Sequence, residues 1–378
     1  MAGKICLVSN TGWSFVRFRI DVIKSLVAAG YEVLLLMPAD AFARQLASLG
    51  AKVVLLQSLY PKGLNPVKDI MLYREFKRIY REEKPDLIIQ YTIKPNIYST
   101  WAAKRYGIPT IAVITGLGYA FINKGVVTAI AKQLYRLTLR KTERVWFLNR
   151  DDLDFFVSHG LVDHRRAFRI PGEGVNCVDT FNPELFLPAA DRGVFRFLFV
   201  GRLLYDKGIA EFVEAAKRIK RAYPDTVFLV LGYLNVENPA AVQETRLNEW
   251  IGDGWIRYLG AVDDVRSVLV DCDCVVLPSY REGMSTTLQE SAAMGKPLIA
   301  SDIPGCKELI DDGDNGYLCR VKDVDSLTAC MERMINLSQD MRRSMGQKGR
   351  DKMIKEYSVD RIISIYNATI TEILGEKK

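Results

Sequence analysis

Phe195-Arg196-Phe197-Leu198-Phe199-Val200 runs directly into Gly201-Arg202-Leu203-Leu204-Tyr205-Asp206-Lys207-Gly208. An almost wholly apolar run of six residues that stops at a glycine reads as a buried parallel strand entering a turn. Runs of the same kind follow at Val227–Leu231, Ile256–Leu259, Cys274–Leu277 and Pro297–Ala300, with helical periodicity between them. The pattern also precedes this stretch, at Ile5–Val8, Val33–Met37, Lys52–Leu56, Leu87–Ile89, Thr110–Ile114 and Val145–Leu148. In the first intervening segment Val16, Ile20, Ile23 and Val27 share one helical face and Gly30 offers a stop. Strands alternating with helices predict an α/β protein of doubly wound parallel sheets.

Between the two series, over residues 171–188, periodicity gives way to Pro171-Gly172-Glu173-Gly174 and Asn182-Pro183, expected to form a linker. A chain of 378 residues is also longer than one core usually serves. Two domains are therefore expected, 1–180 and 195–357, with a cleft between them. Ligands of such sheets bind beyond the carboxyl ends of the strands, so both domains would face that cleft.

Composition narrows the function. Apolar residues make up 49% and charged residues 26%, as in globular proteins. No opening leader pattern and no apolar window of about 18 residues predicts export or membrane spanning. Seven scattered cysteines lack the spacings of a zinc site or a disulfide framework, so the cytoplasm is the expected setting. With His159 and His164 the only histidines, a serine triad or a multi-histidine metal site is hard to assemble. Residues 1–185 carry 26 Lys and Arg against 16 Asp and Glu, and the remainder 26 against 29. A first half at +10 suits an anionic partner: a phosphorylated acceptor, an acidic bilayer or nucleic acid. Ordinary solvated lysines explain it equally well, and no helix-turn-helix, zinc or aromatic-basic motif supports nucleic acid.

Arg202 and Lys207 lie at a strand's carboxyl end, where two cations would neutralise a diphosphate leaving group. The bland alternative is a pair of solvated side chains in a loop. After Val275–Leu277 comes the loop 278–285 and then a helix expected from about Thr286 to Met294, whose free amides form an anion site at the same rim. Glu282 falls in that loop and is suited to sugar hydroxyls. Glu290 falls one turn into the helix and is suited to a ribose diol, although Thr287-Leu288-Gln289-Glu290 also matches a capping box. Asp271-Cys272-Asp273 imitates a D-x-D metal motif, but its position directly before a strand makes coincidence the better reading.

Glu282 to Glu290 has the spacing of E-x7-E, and 201–208 resembles G-R-L-x-x-x-K-G. Together they resemble the family-four retaining glycosyltransferases. The likeness extends to an N-terminal glycine loop, a G-V-N-x-x-x-F-x-P-like linker at 174–183 with an additional residue, and a final helix after Tyr357. It implies the GT-B architecture: two Rossmann-like domains, an interdomain cleft and a C-terminal helix, 358–378, crossing back to the first domain. By the same likeness Arg202 and Lys207 would bind the donor diphosphate, Glu290 the ribose and Glu282 the transferred sugar. The segment Gly283, Met284, Ser285 and Thr286 would line the sugar site. Gly12 would approach the donor, although Asn10-Thr11-Gly12-Trp13 has one glycine where many relatives have a pair. No metal and no cofactor are implied.

Phe18-Arg19, Tyr91-Thr92-Ile93-Lys94-Pro95-Asn96 and Thr115-Gly116-Leu117-Gly118-Tyr119 are most similar to bacterial enzymes that add N-acetylgalactosamine or a related sugar to undecaprenyl-diphosphate-linked acceptors. This implies a UDP-sugar donor, a polyprenyl-diphosphate-linked sugar acceptor and peripheral attachment to the inner face of the cytoplasmic membrane. Arg17, Arg19, Lys94, Gly116 and Gly118 become candidate acceptor-side residues. The segment 124–141 supplies an amphipathic pattern, with Val126, Ile130, Leu134 and Leu137 on one stripe beside Lys132, Arg136 and Arg140. It reads either as a helix packed on the core or as one resting on an anionic bilayer. A glycosidase using Glu282 and Glu290 would leave Arg202 and Lys207 without a purpose. An epimerase lacks a visible acid-base pair, and a silent nucleotide-sugar-binding protein would bind donor without turnover.

Overall fold

A computed structural model of the chain describes residues 2–60, 65–117, 126–187, 193–234, 238–262 and 264–375. Two sheets are formed, every strand pair parallel. The first contains β1 (Ala2–Val8), β2 (Tyr31–Pro38), β3 (Lys52–Leu56), β4 (Leu87–Tyr91), β5 (Thr110–Ile114), β6 (Arg144–Phe147) and β7 (Ala167–Arg169), in the order β3-β2-β1-β4-β5-β6-β7. The second contains β8 (Arg196–Val200), β9 (Val227–Leu231), β10 (Arg257–Tyr258), β11 (Cys274–Leu277), β12 (Leu298–Ser301) and β13 (Gly316–Cys319), in the order β10-β9-β8-β11-β12-β13. Both are doubly wound Rossmann-like sheets.

The central strands are mostly apolar because helices cover both their faces, fully buried Gln90 of β4 being an exception. Leu7, for example, pairs in register with Leu35 on one side and Ile89 on the other, all three fully buried. In each sheet the strand order reverses beside the first strand, between β1 and β4 and between β8 and β11. These switch points open a crevice at the carboxyl ends of the strands.

The chain separates into two compact units, Met1–Glu173 with Val359–Lys378, and Gly174–Ser358. In the first unit the C-terminal helix Val359–Gly375 packs on the helix Ile20–Ala28. Tyr366 from this last helix stacks edge-on against Trp146, centroids 4.7 Å apart, and its hydroxyl lies 2.8 Å from that of Tyr91.

Two expectations from periodicity are corrected. The first helix is two, Gly12–Phe18 and Ile20–Ala28, separated at Arg19, whose φ of −133° leaves the helical region. Its buried residues are Phe15, Val22, Ile23 and Leu26, while Val16, Ile20 and Val27 are only half-buried. The second correction is that β7 and β13 stand at sheet edges, in segments without a strand signal.

Candidate active site

In the second unit, two loops at the switch point are fastened to each other. The first, 201–208, leaves β8 and closes with a single 3-10 turn, Tyr205–Lys207. Gly208 then starts the helix Ile209–Ala222 with φ +75°, and a Cβ there would lie 2.0 Å from the carbonyl oxygen of Pro278. Only glycine meets both conditions. The second loop, 278–285, leaves β11. Its Tyr280 amide and Ser279 hydroxyl both donate to the carbonyl of Asp206, at 2.9 and 3.2 Å. Beyond these bonds, Lys207 Nζ lies 2.5 Å from Glu282 Oε1. Both side chains retain a small opening to solvent, 21% and 11%.

A third loop, after β12, supports the second from behind. Gly305 has φ +78°, and a Cβ there would meet the Gly283 carbonyl at 2.7 Å. Its own carbonyl accepts the Ser285 amide at 3.0 Å. The next residue, Cys306, is fully buried. Burial pushes its thiol well above the ordinary value, the charge of Glu282 adding to the effect and that of Lys207 opposing it.

Gly283, Met284, Ser285 and Thr286 form the strand-to-helix turn. Ser285 caps the helix Thr286–Ala293, its hydroxyl accepting from the Leu288 amide at 3.3 Å. The capping box expected at Thr287 to Glu290 is therefore not formed: the cap stands two residues earlier, and Glu290, buried, belongs to the body of the helix. Arg202 is exposed on the first loop, and no carboxylate pairs with it among the described residues. The structure thus gathers Arg202, Lys207, Glu282, Gly283, Met284, Ser285 and Thr286 on two adjoining loops and a helix start. Cations, a carboxylate and free helical amides in one place suit an anionic leaving group beside a hydroxyl-rich ligand.

Asp271 and Asp273 are occupied at the start of β11. Arg196 Nη1 donates to Asp271 Oδ2 at 2.5 Å, and the Arg196 amide donates to Asp273 Oδ2 at 2.8 Å. Among the described residues no group of three or more His, Cys, Asp or Glu is arranged to hold a metal ion.

The candidates in the first unit, Gly12 for the donor and Arg17, Arg19, Lys94, Gly116 and Gly118 for the acceptor, fare unequally. Gly12 follows β1 at the switch point, but its amide donates to Asp40 Oδ2 at 2.6 Å, and the Trp13 amide reaches the same oxygen at 3.3 Å. Asp40 thus holds the loop that the sequence suggested for a donor phosphate. Arg17 is half-buried on the helix Gly12–Phe18. Arg19 is turned into the core of the unit. It is buried, ion-paired with buried Glu173, donates to the Ser14 carbonyl at 3.1 Å, and lies 3.7 Å from the Tyr91 ring centroid. Lys94 follows β4 and pairs with Asp69 Oδ1 at 3.0 Å, whose other oxygen accepts the Tyr98 hydroxyl at 2.9 Å. Two residues before Lys94, Thr92 adopts φ +70°, strained for a β-branched residue. Gly116, past β5, has φ +137°. Gly118 lies outside the described residues.

Asp40, Asp69, Glu173 and Gly305 were not singled out from sequence. Only Glu173, between two glycines in the turn-rich stretch, carried any local signal.

Comparison with known proteins fixes the class as a glycosyltransferase of the GT-B fold. Residues 188–352 match the model described as "Glycosyl transferases group 1", and residues 4–149 match "Glycosyl transferase 4-like". The chain is 29% identical over 340 residues to the N,N'-diacetylbacillosaminyl-diphospho-undecaprenol alpha-1,3-N-acetylgalactosaminyltransferase of Campylobacter jejuni, covering 86% of this chain and 87% of that protein. It is 26% identical over 325 residues to the UDP-Gal:alpha-D-GlcNAc-diphosphoundecaprenol alpha-1,3-galactosyltransferase of Escherichia coli, covering 81% of each. A solved glycosyltransferase from Rickettsia africae shares the fold with a TM-score of 0.82 at 19% identity, over 99% of each chain. With 31% identity over 328 residues to the N-acetyl-alpha-D-glucosaminyl L-malate synthase of Bacillus anthracis, covering 83% of this chain and 81% of that protein, the chain belongs to the group 1 glycosyl transferase family. Among the described residues no helix is long and apolar enough to cross a membrane.

Proposed function

We propose that the chain transfers an N-acetylhexosamine, with N-acetylgalactosamine favoured, from a UDP-sugar to a polyprenyl-diphosphate-linked saccharide with retention of anomeric configuration, in bacterial glycan assembly at the inner face of the cytoplasmic membrane. The observation that carries this reading is the fastening of the loops after β8 and β11, which puts Lys207 against Glu282 beside the helix start at Thr286. The names of the two curated relatives support the donor and acceptor classes.

In this reading the second unit binds the donor and the first faces the acceptor. The diphosphate departs toward Arg202, Lys207 and the helix amide at Thr286, while the acceptor hydroxyl attacks from the same face. These cations take the part a divalent ion plays elsewhere, and removing one should raise the barrier by about 3 kcal/mol. Glu282 orients the transferred sugar, Gly283 and Met284 line it, and Glu290 holds the ribose diol. Arg17, Lys94 and Gly116 are kept as acceptor-side groups, Lys94 by exchanging Asp69 for the acceptor, while Arg19, paired with buried Glu173, and the donor-side Gly12, whose amide donates to Asp40, are set aside.

The test is release of UDP from a panel of UDP-sugars, with and without a short-chain polyprenyl diphosphate sugar. Acceptor-dependent release, with product heavier by one N-acetylhexosamine, is expected. Glu282→Gln should bind UDP and lose turnover. Binding without release under every condition would make the chain a silent nucleotide-sugar receptor.

A further inference from the structure

The helix Val126–Leu139 has apolar side chains on two faces, and the core uses one. Ala131, Tyr135, Thr138 and Leu139 are buried, with Tyr135 and Leu139 packed among Ile114, Phe147 and Phe156. The other face presents Ile130, 48% exposed, and Leu137, 46% exposed, with half-buried Leu134 between them. Positions 130, 134 and 137 follow the spacing of a single stripe. The stripe anticipated from sequence is therefore the outer one, and the helix packs through residues that the pattern did not mark.

Along this segment of chain the charges have one sign. Residues 126–142 contain Lys132, Arg136, Arg140 and Lys141 and no Asp or Glu. Lys132 rests over the Phe155 ring at 5.1 Å, and Arg136 donates to the carbonyls of His159 and Gly160 at 3.1 and 3.3 Å, contacts that leave both charges in place.

A second exposed apolar group accompanies it. On the helix Pro66–Glu83, Val67, Ile70 and Met71 point outward next to exposed Tyr60, whose ring lies 3.8 Å from Lys68 Nζ. The crossovers β3 to β4 and β5 to β6 advance across the sheet in the same direction. Right-handed connections then put their two helices on one side of it. Both also pack against the turn Pro95–Ser99.

We propose that this side of the first unit docks on an anionic phospholipid bilayer, with the helix Val126–Leu139 lying in the interface. Ile130, Leu134 and Leu137 enter the acyl boundary, and Lys132, Arg136, Arg140 and Lys141 meet the lipid phosphates. The proposal rests on the functional reading that puts the acceptor lipid in a membrane, but its measurement needs no turnover, so the two fail separately.

The experiment is co-sedimentation of the full chain with vesicles of phosphatidylcholine alone or mixed with phosphatidylglycerol. Binding to the anionic vesicles, weakened by salt, is expected. Ile130→Glu with Leu137→Glu, and separately Arg140→Glu with Lys141→Glu, should each lower the bound fraction by about tenfold or more. Melting temperature and UDP binding should be unchanged, because these side chains are exposed and lie in the other unit. Failure of the wild type to bind anionic vesicles, or equal binding by the variants, overturns the proposal. So does sedimentation equilibrium showing that the wild type self-associates and that Ile130→Glu with Leu137→Glu abolishes only that association.

Discussion

The ammonium of Lys207 sits 2.5 Å from Glu282 Oε1, so the cation suited to a diphosphate and the carboxylate suited to a sugar are each other's partners. A departing diphosphate competes with Glu282 for that ammonium. Lys207→Ala and Glu282→Gln should each lower the rate of UDP release by about 10²–10³. The double variant should lose much less than the product of the two, because neighbouring groups acting as a unit are not additive. Fully multiplicative losses would mean that the two groups act separately and that their contact has no part in turnover.

Gly208 tests the fastening of the loops through stability. Gly208→Ala forces a side chain into the left-handed region and against the Pro278 carbonyl. The backbone term alone is about 1–2 kcal/mol, and the clash adds to it, so a loss of about 3 kcal/mol is expected. The urea midpoint of unfolding measures this. An unchanged midpoint would show that the two loops do not approach as described.

Arg19 is a stability residue in this structure. Arg19→Ala strands the buried carboxylate of Glu173 and should cost about 3–5 kcal/mol. The surviving folded protein should keep the acceptor KM of the wild type. A large rise in that KM with unchanged unfolding would return Arg19 to the acceptor.

The thiols offer a third kind of check. All seven cysteines are free and buried. Burial pushes the Cys272 and Cys319 thiols up to about 12, and raises those of Cys6, Cys274 and Cys306 well above the ordinary value. At pH 8 a thiol at 12 is ionised in about one molecule in ten thousand, and the thiolate is the reactive form. Folded protein should therefore resist a disulfide reagent such as dithionitrobenzoate, and denatured protein should titrate all seven. A rapidly reacting thiol in the native state would contradict the packing.

The sequence was most legible where burial is two-sided. Central strands such as Val33–Met37 and Cys274–Leu277 announce themselves because every side chain must be apolar. The edge strand β7 does not: Phe168 and Arg169 are exposed, and three residues are too few to show a period. In β13, four residues follow the turn-rich Asp311 to Asp314 and carry no length signal. Among site residues, the cluster around Glu282 was legible because it is local to one strand-to-helix turn. What held each group in place was not. Glu173 is 154 positions from Arg19, and Asp69 reaches Lys94 from another helix. Charge pairing across such distances leaves no mark on periodicity, which is why Arg19 read as a surface cation and the first helix as continuous.

The placement of residues 359–375 in the first unit has a consequence for synthesis. Tyr91 and Trp146 are made early, yet Tyr366, which contacts both, is made about 200 residues after Trp146. At about 5–20 residues per second, that interval lasts roughly 10–40 s on the ribosome. Throughout it the first sheet waits with an uncovered aromatic flank while the whole second unit emerges. The second unit can close on its own residues during translation, so the part of the chain begun first is the part finished last.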